Sequence, residues 1–290
     1  MIKVDPSNPK GIVWIASYPK SGNTWVRIFL YQLMRILGGH AAEEHDLHQL
    51  DRASLYEARL VGLFERLLGK PIGKATWQEV AAIRPKVQAL IAAEAPGIAL
   101  VKTHNLLGRM LGFPIINMAV TAGAIYVVRN PLDVSLSLVS HIGAPLDTAI
   151  ATMAKKGHRS AMNDELAVEL WGSWSEHVES WTIRPNPALL VVRYEDLIDD
   201  PAKHFGAIAH HLGQTPTPAA VDEAVALSAF DRVRKQEEEK GFRERAEVAE
   251  RFFRAGKAGE WRDKLSADQV RRIVAAHRPI MERFGYLPLD

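Results

Sequence analysis

The stretch Ile15-Ala16-Ser17-Tyr18-Pro19-Lys20-Ser21-Gly22-Asn23-Thr24-Trp25 decides the fold. It has the pattern of a strand, a tight loop containing Pro19 and Gly22, and the start of a helix. The first turn of a helix presents unpaired N–H groups and the positive end of the helix dipole, which suit a phosphate or a sulfate. Gly22 allows the backbone to approach an anion closely, and Lys20 adds a mobile positive charge. Three polar side chains in the same loop add hydrogen-bond donors: Ser21, Asn23 and Thr24.

This loop differs from a Walker A loop, which has the pattern Gly-x-x-x-x-Gly-Lys-Ser/Thr. Here Lys20 precedes Gly22, and no earlier glycine stands in register. The segment therefore predicts an anion-binding loop of another kind, the alternative being an ordinary turn between a strand and a helix.

Around this loop, the chain alternates strands with helices. Four short apolar runs rich in β-branched residues predict strands: Ile12–Tyr18, Ile98–Thr103, Ala124–Arg129 and Leu189–Tyr194. None alternates between apolar and polar residues, so each is expected to be covered on both faces, as in a parallel sheet. The pattern predicts an α/β fold, with a central parallel sheet and helices on both faces.

Helices are predicted from apolar spacing and from their capping residues. They are expected at Trp25–Leu37, Leu132–His141, 165–182, 201–213, 218–227 and from the Ser266 capping box to Gly285. The helix at 165–182 would carry a stripe of tryptophans, interpreted as core. Residues 40–96 show helical patches without a strand, and the charged run 232–254 is expected to be a solvated helix or a mobile loop.

Composition excludes several classes of protein. The chain has 290 residues, with 36 Lys+Arg against 34 Asp+Glu and a net charge of +2, so it lacks the broad positive field of non-specific DNA-binding proteins. It contains no cysteine, which excludes disulfides and thiolate metal sites and fits a reducing compartment. No apolar run approaches the roughly 18 residues of a membrane span. We expect a single domain over residues 1–290, located in the cytoplasm, with no nucleic acid as a partner.

Three further segments carry chemistry. Arg129 is the last residue of a predicted strand and directly precedes Asn130-Pro131. It therefore lies at the edge of the sheet where α/β proteins bind their ligands. His104 follows another strand in Val101-Lys102-Thr103-His104, and histidine suits proton transfer near neutral pH. The third segment, Phe253–Trp261, is basic and punctuated by glycine.

Taken together and in this order, the segments resemble the PAPS-dependent sulfotransferases of the cytosolic type, from about Ile12 to Trp261. Tyr-Pro-Lys-Ser-Gly-Asn-Thr-Trp at 18–25 resembles that family's 5′-phosphosulfate loop, and residues 126–137 are similar to its 3′-phosphate motif. Residues 171–178 and 193–196 also look like family segments, and residues 254–261 resemble the Arg-Lys-Gly-x-x-Gly-x-Trp signature.

The resemblance implies a P-loop NTPase-like sulfotransferase fold, with PAPS as sulfuryl donor, PAP as product and no metal. Residues implied to hold the 5′-phosphosulfate are Lys20, Ser21, Gly22, Asn23 and Thr24. Residues implied to hold the 3′-phosphate are Arg129, Ser137, Arg254 and Gly256. Residues implied around the adenine are Trp25 and Phe230, which would sandwich it, with Tyr194 and Ser228 nearby. The implied catalytic residues are His104 as base, Lys102 beside it, and Lys20 at the leaving oxygen.

Three positions depart from the family pattern. Ala255 replaces the lysine of Arg-Lys-Gly, so that either the 3′-phosphate is held less firmly or Lys257 substitutes. Asn23 stands where the family usually has threonine. Residues 262–271 do not reproduce the pattern of the family's small dimer contact, which leaves monomer and homodimer open.

Two other functions stay open at this point. A P-loop nucleotide kinase would need ATP, Mg²⁺ and a proper Walker A lysine, which the chain lacks. A non-catalytic PAP-binding protein of the same fold is the second alternative, and Ala255 is the one hint of it. The expected acceptor is a small, hydrophobic molecule with a hydroxyl or an amine, bound by parts of 40–96, 140–165 and 232–253.

Overall fold

The computed structural model describes residues 2, 10–40, 49–245 and 251–288. Its strands are β1 (Gly11–Ser17), β2 (Leu55–Tyr56), β3 (Ile98–Thr103), β4 (Arg109–Met110), β5 (Phe113–Pro114), β6 (Thr121–Val128) and β7 (Leu189–Arg193). Five of them form one parallel sheet in the order β2-β3-β1-β6-β7, while β4 and β5 make a separate antiparallel pair. The predicted parallel sheet is confirmed, and each of the four predicted strands lies within three residues of its expected bounds.

Helices cover both faces of the sheet. They are α1 (Asn23–Leu37), α2 (Leu50–Ala53), α3 (Val61–Leu68), α4 (Trp77–Glu94), α5 (Pro131–Ile142), α6 (Leu146–Ala154), α7 (Trp174–Thr182), α8 (Tyr194–Asp199), α9 (Pro201–His211), α10 (Pro218–Leu227), α11 (Phe230–Lys240), α12 (Trp261–Lys264) and α13 (Ala267–Phe284). Short 3₁₀ turns add Glu57–Arg59, Ile72–Lys74 and Met118–Val120.

The central strand β1 shows why the apolar runs do not alternate. All seven of its residues are buried. Trp14 points into one hydrophobic cluster, with Tyr126 and Trp174, whereas Ile15 points into a second cluster on the opposite face, with Phe29. Because successive side chains of a strand face opposite sides, a strand covered on both faces needs apolar residues at every position.

Helix ends follow the predicted capping chemistry. Asn130 caps α5 by accepting a hydrogen bond from the backbone of Leu132, and Pro131 occupies the first helical position. Ser266 and Gln269 form the capping box of α13, which ends at Gly285 in the left-handed conformation.

Two secondary-structure predictions need correction. The helix expected at 165–182 exists only as α7, because Gly172 adopts the left-handed region with a φ of 63° and Ser173 caps a new helix. The tryptophan stripe is nevertheless buried in the core, as predicted. Residues 40–96 do contain a strand, the two-residue β2 at the edge of the sheet.

The charged run beginning at residue 232 forms the greater part of α11 and then a turn through residue 245. Residues 246–250 of that run lie outside the described residues. Within the part of the chain that is described, no single helix has the length and apolar character to cross a membrane. One bent pair, α5 with α6 at 111°, meets those criteria by length and composition.

Candidate active site

The sheet order brings the predicted site residues together at one edge. The carboxyl ends of neighbouring parallel strands lead into Tyr194 after β7, Arg129 after β6, the 18–25 loop after β1 and His104 after β3. They open onto a cleft of about 1230 Å³, counting its open mouth. The predicted residues that line it are Lys20, Gly22, Asn23, Thr24, Trp25, Lys102, His104, Arg129, Ser137, Tyr194, Ser228, Phe230, Arg254 and Gly256. Ser21 is buried in the same loop without lining the cleft.

The loop after β1 has the conformation of an anion cradle. Lys20 lies in the left-handed region at a φ of 66°, and Gly22, at a φ of 103°, occupies the N-cap position of α1. The Lys20 ammonium lies 4.2 Å from the centre of the Phe252 ring. Burial, reinforced by the nearby charges of Arg129 and Lys102, lowers the pKa of Lys20 to about 8. A buried ammonium with two cationic neighbours is thus held close to the start of a helix.

Several buried polar atoms around this loop have no hydrogen-bond partner in the described part of the chain. They are Ser21 Oγ, Asn23 Oδ1, Trp25 Nε1, Arg129 Nε and Arg254 Nε. A buried polar atom without a partner is costly, and such atoms in a native protein commonly await a ligand or water. All but Asn23 Oδ1 can act as donors, so the set fits an anionic ligand such as PAPS.

The side chain of Asn23 forms a hydrogen bond inside the protein and does not point its donor at the cleft. Its Nδ2 donates to the Ile15 carbonyl at 2.7 Å, which ties the start of α1 back to β1. The side-chain donor expected at this position therefore faces β1, and what Asn23 has left for a bound anion is its backbone N–H at the start of the helix.

Gly22 can be tested directly. A Cβ at this position would lie 2.5 Å from Cδ2 of Tyr194, and its φ disfavours any other residue. We expect Gly22→Ala to lower the free energy of unfolding by about 1–3 kcal/mol and to weaken PAP binding, because the loop must move away from Tyr194. Denaturant unfolding and calorimetry would measure both.

Gly206→Ala is the matched control, since a Cβ on Gly206 in α9 meets no atom within 4 Å. It should retain PAP binding and equal or exceed the wild-type stability. Wild-type PAP affinity in Gly22→Ala would show that the close approach of the loop to Tyr194 has no role in binding.

Arg129 joins the two loops that the sequence predicts to bind anions. Its guanidinium donates to the Lys20 carbonyl and to the Lys257 carbonyl, each at 3.0 Å, and lies 4.2 Å from the centre of the Tyr194 ring. The side chain of Ser137, two turns into α5, lines the same cleft. This end of the cleft lies one strand away from the Lys20 loop, since β1 and β6 are neighbours.

Asp133, which the sequence did not single out, fixes the 254–261 loop. Its carboxylate accepts hydrogen bonds from the backbone of Gly259 at 2.7 Å and of Trp261 at 3.1 Å. Arg254 is paired with Glu260 inside this loop. The sequence could have indicated Asp133 through its spacing, because it lies one helical turn before Ser137, a predicted site residue.

Lys257 does not line the cleft in place of the lysine missing at position 255. Ala255 lines the cleft, whereas Lys257 is exposed and does not, and its carbonyl accepts from Arg129. A Cβ on Gly256 would lie 2.3 Å from the Phe230 ring, so glycine here allows the loop to pack against that ring.

His104 is held in one tautomer. Its Nδ1 lies 2.8 Å from the Ser17 carbonyl, an acceptor that requires Nδ1 to carry the proton. Nε2 is then the atom left with a lone pair. Burial, with the positive charge of Lys102, lowers the pKa of His104 well below its usual value, so the ring is neutral at physiological pH. The arrangement suits a proton acceptor.

Glu169 holds the backbone of His104 in place through a hydrogen bond. One carboxylate oxygen accepts from the His104 backbone N–H at 2.9 Å, and the other accepts from the Tyr56 hydroxyl at 2.8 Å. His177 adds a contact to the His104 carbonyl at 3.1 Å. These bonds fix the backbone that carries the histidine.

Lys102 belongs to a buried ionic cluster that the sequence did not reveal. Its ammonium donates to Glu244 at 2.6 Å, and Glu244 also accepts from Arg27 on α1. Burial alone would raise the pKa of Glu244, but the charges of Arg27 and Lys102 hold it well below its ordinary value. Glu244 stands in the run 232–254, where nothing distinguishes it from the other acidic residues.

Other cleft residues were also missed by the sequence. They are Ile28, Tyr56, Arg59, His141, Leu166, Val233 and Phe252. His141 follows Ser137 by one turn of α5, a spacing that could have indicated it. Burial, together with the charges of Lys20 and Lys102, lowers the pKa of His141 to about 3. In residues 10–40, 49–245 and 251–288, no group of three or more His, Asp or Glu side chains could hold a metal ion.

Comparison with known proteins assigns the chain to a family. A family model described as the sulfotransferase domain matches residues 10–285. The chain belongs to the sulfotransferase domain family. Rat sulfotransferase 1A1 is 27% identical over 273 residues, covering 92% of this chain and 83% of that protein. Human sulfotransferase 1E1 is 25% identical over 261 residues, covering 87% and 77%.

Solved structures agree on the fold of this sulfotransferase. Retinol dehydratase in a complex with retinol and PAP matches with a TM-score of 0.64 at 21% identity, covering 96% of this chain and 82% of that one. Mouse sulfotransferase SULT7A1 complexed with PAP matches with a TM-score of 0.56 at 16% identity, covering 96% and 86%. The predicted sulfotransferase fold is confirmed, as is the predicted enzyme class, a PAPS-dependent sulfotransferase.

Proposed function

We propose that this sulfotransferase moves the sulfuryl group from PAPS to a hydroxyl or an amine of a small acceptor. The observation that carries the proposal is the order of groups along one cleft. Arg129 stands after β6, the Lys20 loop after β1, and His104 after β3, in the order in which these strands neighbour one another. The solved relatives whose titles name PAP support the choice of donor.

The donor is proposed to lie along this edge with its two anionic ends apart. The loop from Lys20 to Thr24 would hold the 5′-phosphosulfate through backbone N–H groups and the Lys20 ammonium. Arg129, Ser137, Arg254 and Gly256 would hold the 3′-phosphate. Trp25 and Phe230, which line the cleft, would lie on either side of the adenine, with Tyr194 and Ser228 nearby.

The protein's own groups account for the proton and the charge. When bound, PAPS supplies the sulfuryl group and a leaving oxygen on PAP. Nε2 of His104 takes the proton of the acceptor O–H or N–H as that atom forms its bond to sulfur. Lys20 stabilises the negative charge that grows on the leaving oxygen. Lys102 is proposed to keep the ring of His104 neutral through its charge, while Glu244 holds the ammonium in place.

The acceptor would enter from the side of β2 and β3. Tyr56 and Leu166 give that side of the cleft an apolar surface, which supports a small hydrophobic acceptor. A cytoplasmic location, a single domain over residues 1–290, the absence of nucleic acid partners and the choice between monomer and homodimer stay predictions from the sequence.

A ligand comparison tests the proposed function. PAP is expected to raise the melting temperature and to bind without metal, whereas ATP with Mg²⁺ should bind at least tenfold more weakly. Incubation with PAPS and a panel of phenols, alcohols and amines should give sulfated products detectable by mass spectrometry. Preference for ATP with Mg²⁺ would favour the nucleotide kinase. PAP binding without any product would favour the non-catalytic protein.

Arg129→Ala is expected to act on donor binding. Loss of a charged donor to a phosphate costs about 1.5–3 kcal/mol, so the Kd for PAP should rise roughly 10- to 150-fold. The rate at saturating PAPS should change much less, because Arg129 lies away from the reacting bond. Calorimetry and steady-state kinetics separate the two, with the exposed Arg278→Ala as control. An unchanged Kd in Arg129→Ala would remove Arg129 from the site.

A further inference from the structure

We propose that Arg59 binds an anionic group of the acceptor, so that the natural acceptor carries a carboxylate in addition to its hydroxyl or amine. This inference rests on the proposed function and names the class of acceptor. It starts from a comparison of the positively charged side chains that line the cleft, namely Lys20, Arg59, Lys102, Arg129 and Arg254.

Four of these five cations are already accounted for. Lys102 is paired with Glu244, and Arg254 is paired with Glu260. Arg129 donates to two backbone carbonyls, and Lys20 stands in the anion-binding loop.

Arg59 differs from the other cations. It lines the cleft, it is partly buried, and it has neither an ion pair nor a hydrogen bond to any described residue. Its Nε is buried without a partner. The nearest acidic neighbour in sequence, Glu57, is already paired with Arg84 at 2.8 Å. A buried N–H donor without a partner is costly, and a carboxylate can satisfy a guanidinium through two parallel hydrogen bonds.

The position of Arg59 points to the acceptor rather than to the donor. Arg59 follows β2 at the edge of the sheet, where Tyr56 pairs with Lys102 of β3. The order β2-β3-β1-β6 therefore places Arg59 beyond His104, two strands from the Lys20 loop and three from Arg129. With about 4.8 Å between strands, Arg59 lies on the order of 14 Å along the sheet from the strand that carries Arg129.

Local contacts place Arg59 against the apolar wall of the cleft. The carbonyl of the preceding Ala58 accepts from the backbone of Ala167 at 2.8 Å, which brings Leu166 beside the Arg59 segment. Burial and the negative charges of Glu169 and Glu244 raise the pKa of the Tyr56 phenol, and the positive charge of Arg59 opposes that rise, which sets the guanidinium near this ring. An acceptor at this end would meet apolar side chains and then one cation.

The acceptor's reactive group and its anion should therefore be separated. The hydroxyl or amine has to reach Nε2 of His104, while the carboxylate reaches Arg59 on the neighbouring strand. The strands that carry the two residues are about 5 Å apart, so we expect a separation of at least that order. A hydroxy acid or amino acid derivative with an apolar body between the two groups fits this description.

The experiment uses pairs of acceptors that differ only in charge, with the wild type, Arg59→Gln and Arg59→Lys. Each pair has a carboxylate and its amide, for example 4-hydroxyphenylacetate with 4-hydroxyphenylacetamide, and further phenolic and aliphatic hydroxy acids with their amides. Binding to the protein saturated with PAP is measured by calorimetry, and kcat/KM with PAPS is measured where product forms. Arg66→Gln, an exposed arginine on α3 paired with Glu94, is the control.

We expect at least one carboxylate to bind the wild type tenfold or more tightly than its amide. Arg59→Gln should abolish that preference without changing the Kd for PAP, Arg59→Lys should restore part of it, and Arg66→Gln should retain it. Equal binding within every pair, preference for the amides, or no binding of any carboxylate would overturn the proposal. A preference for the carboxylate that persists in Arg59→Gln would also overturn the proposal.

The failure of this inference can be told apart from failure of the proposed function. If Arg59 serves the donor, Arg59→Gln raises the Kd for PAP. If it only stabilises the fold, the substitution lowers the melting temperature and affects both members of each pair equally. Either result overturns the inference while PAP binding and sulfation by the wild type still support the proposed function. Absence of PAP binding in the wild type would reject the proposed function itself.

Discussion

His104→Ala is expected to lower kcat by a factor of about 10² to 10⁴, the usual contribution of a positioned general base. The Kd for PAP should stay near that of the wild type, because His104 stands after β3, on the side of the Lys20 loop away from Arg129. Steady-state kinetics with any sulfated acceptor, together with calorimetry for PAP, would measure this separation.

The geometry explains why His104 should act as a base at neutral pH. The Ser17 carbonyl 2.8 Å from Nδ1 fixes the proton there, which leaves Nε2 able to accept one. Burial and the charge of Lys102 lower the pKa of His104 well below its usual value. The ring loses catalytic competence only when protonated, so activity should persist as the pH falls through 6.5 and decline at lower pH.

The control for this variant is His210→Ala, at the exposed end of α9. It should show wild-type kcat. Turnover by His104→Ala within a factor of about three of the wild type would assign the proton transfer to another group, and His141, which lines the same cleft, would be the next residue to replace.

The sequence predicted the strands well because each one is apolar at nearly every position. Trp14 and Ile15 face opposite cores, which is why this strand shows no alternation between apolar and polar residues. The residues at the carboxyl ends of those strands were therefore also predictable, since parallel strands end at one edge. This is why Lys20, His104 and Arg129 line one cleft in the structure, as the sequence indicated.

What the sequence missed depends on distant contacts. Glu244 pairs with Lys102 and with Arg27, which are 142 and 217 residues away, and it lies among many other charged residues in its own segment. β2 consists of two residues, too few to show any period, and it exists because it pairs with β3. Arg59 was missed for the same reason, since its position follows from β2.

The prediction of a helix at 165–182 was partly wrong because the non-helical segment before Gly172 and the helix that begins at Trp174 together mimic the spacing of a single helix. Trp171 and Trp174 are three residues apart and both are buried, as they would be on one face of a helix. Gly172 in the left-handed conformation separates them, and the capping box of Ser173 and Glu176 starts the helix only at Trp174. Burial was predictable from residue type, whereas the break required the backbone conformation.

Lys20→Ala is expected to lower kcat by about 10²–10³ or more, the cost of removing a preorganised group that stabilises charge in the transition state. The effect on the Kd for PAP should be smaller than the effect on kcat, because Arg129 and the N–H groups of the loop are proposed to hold the nucleotide as well. Lys86→Ala, on the exposed surface of α4, is the control and should leave both quantities unchanged.

The pH dependence of binding gives an independent readout of Lys20. Burial, with the charges of Arg129 and Lys102, lowers the pKa of its ammonium to about 8 in the free protein, and a bound anion favours the charged form. PAP affinity should therefore fall as the pH rises through about 8, and binding above that pH should take up a proton. Calorimetry in buffers of different ionisation enthalpy would detect this uptake in the wild type. The uptake should be absent from Lys20→Ala, and proton uptake equal to that of the wild type in this variant would assign the titration to another group and remove Lys20 from the proposed role.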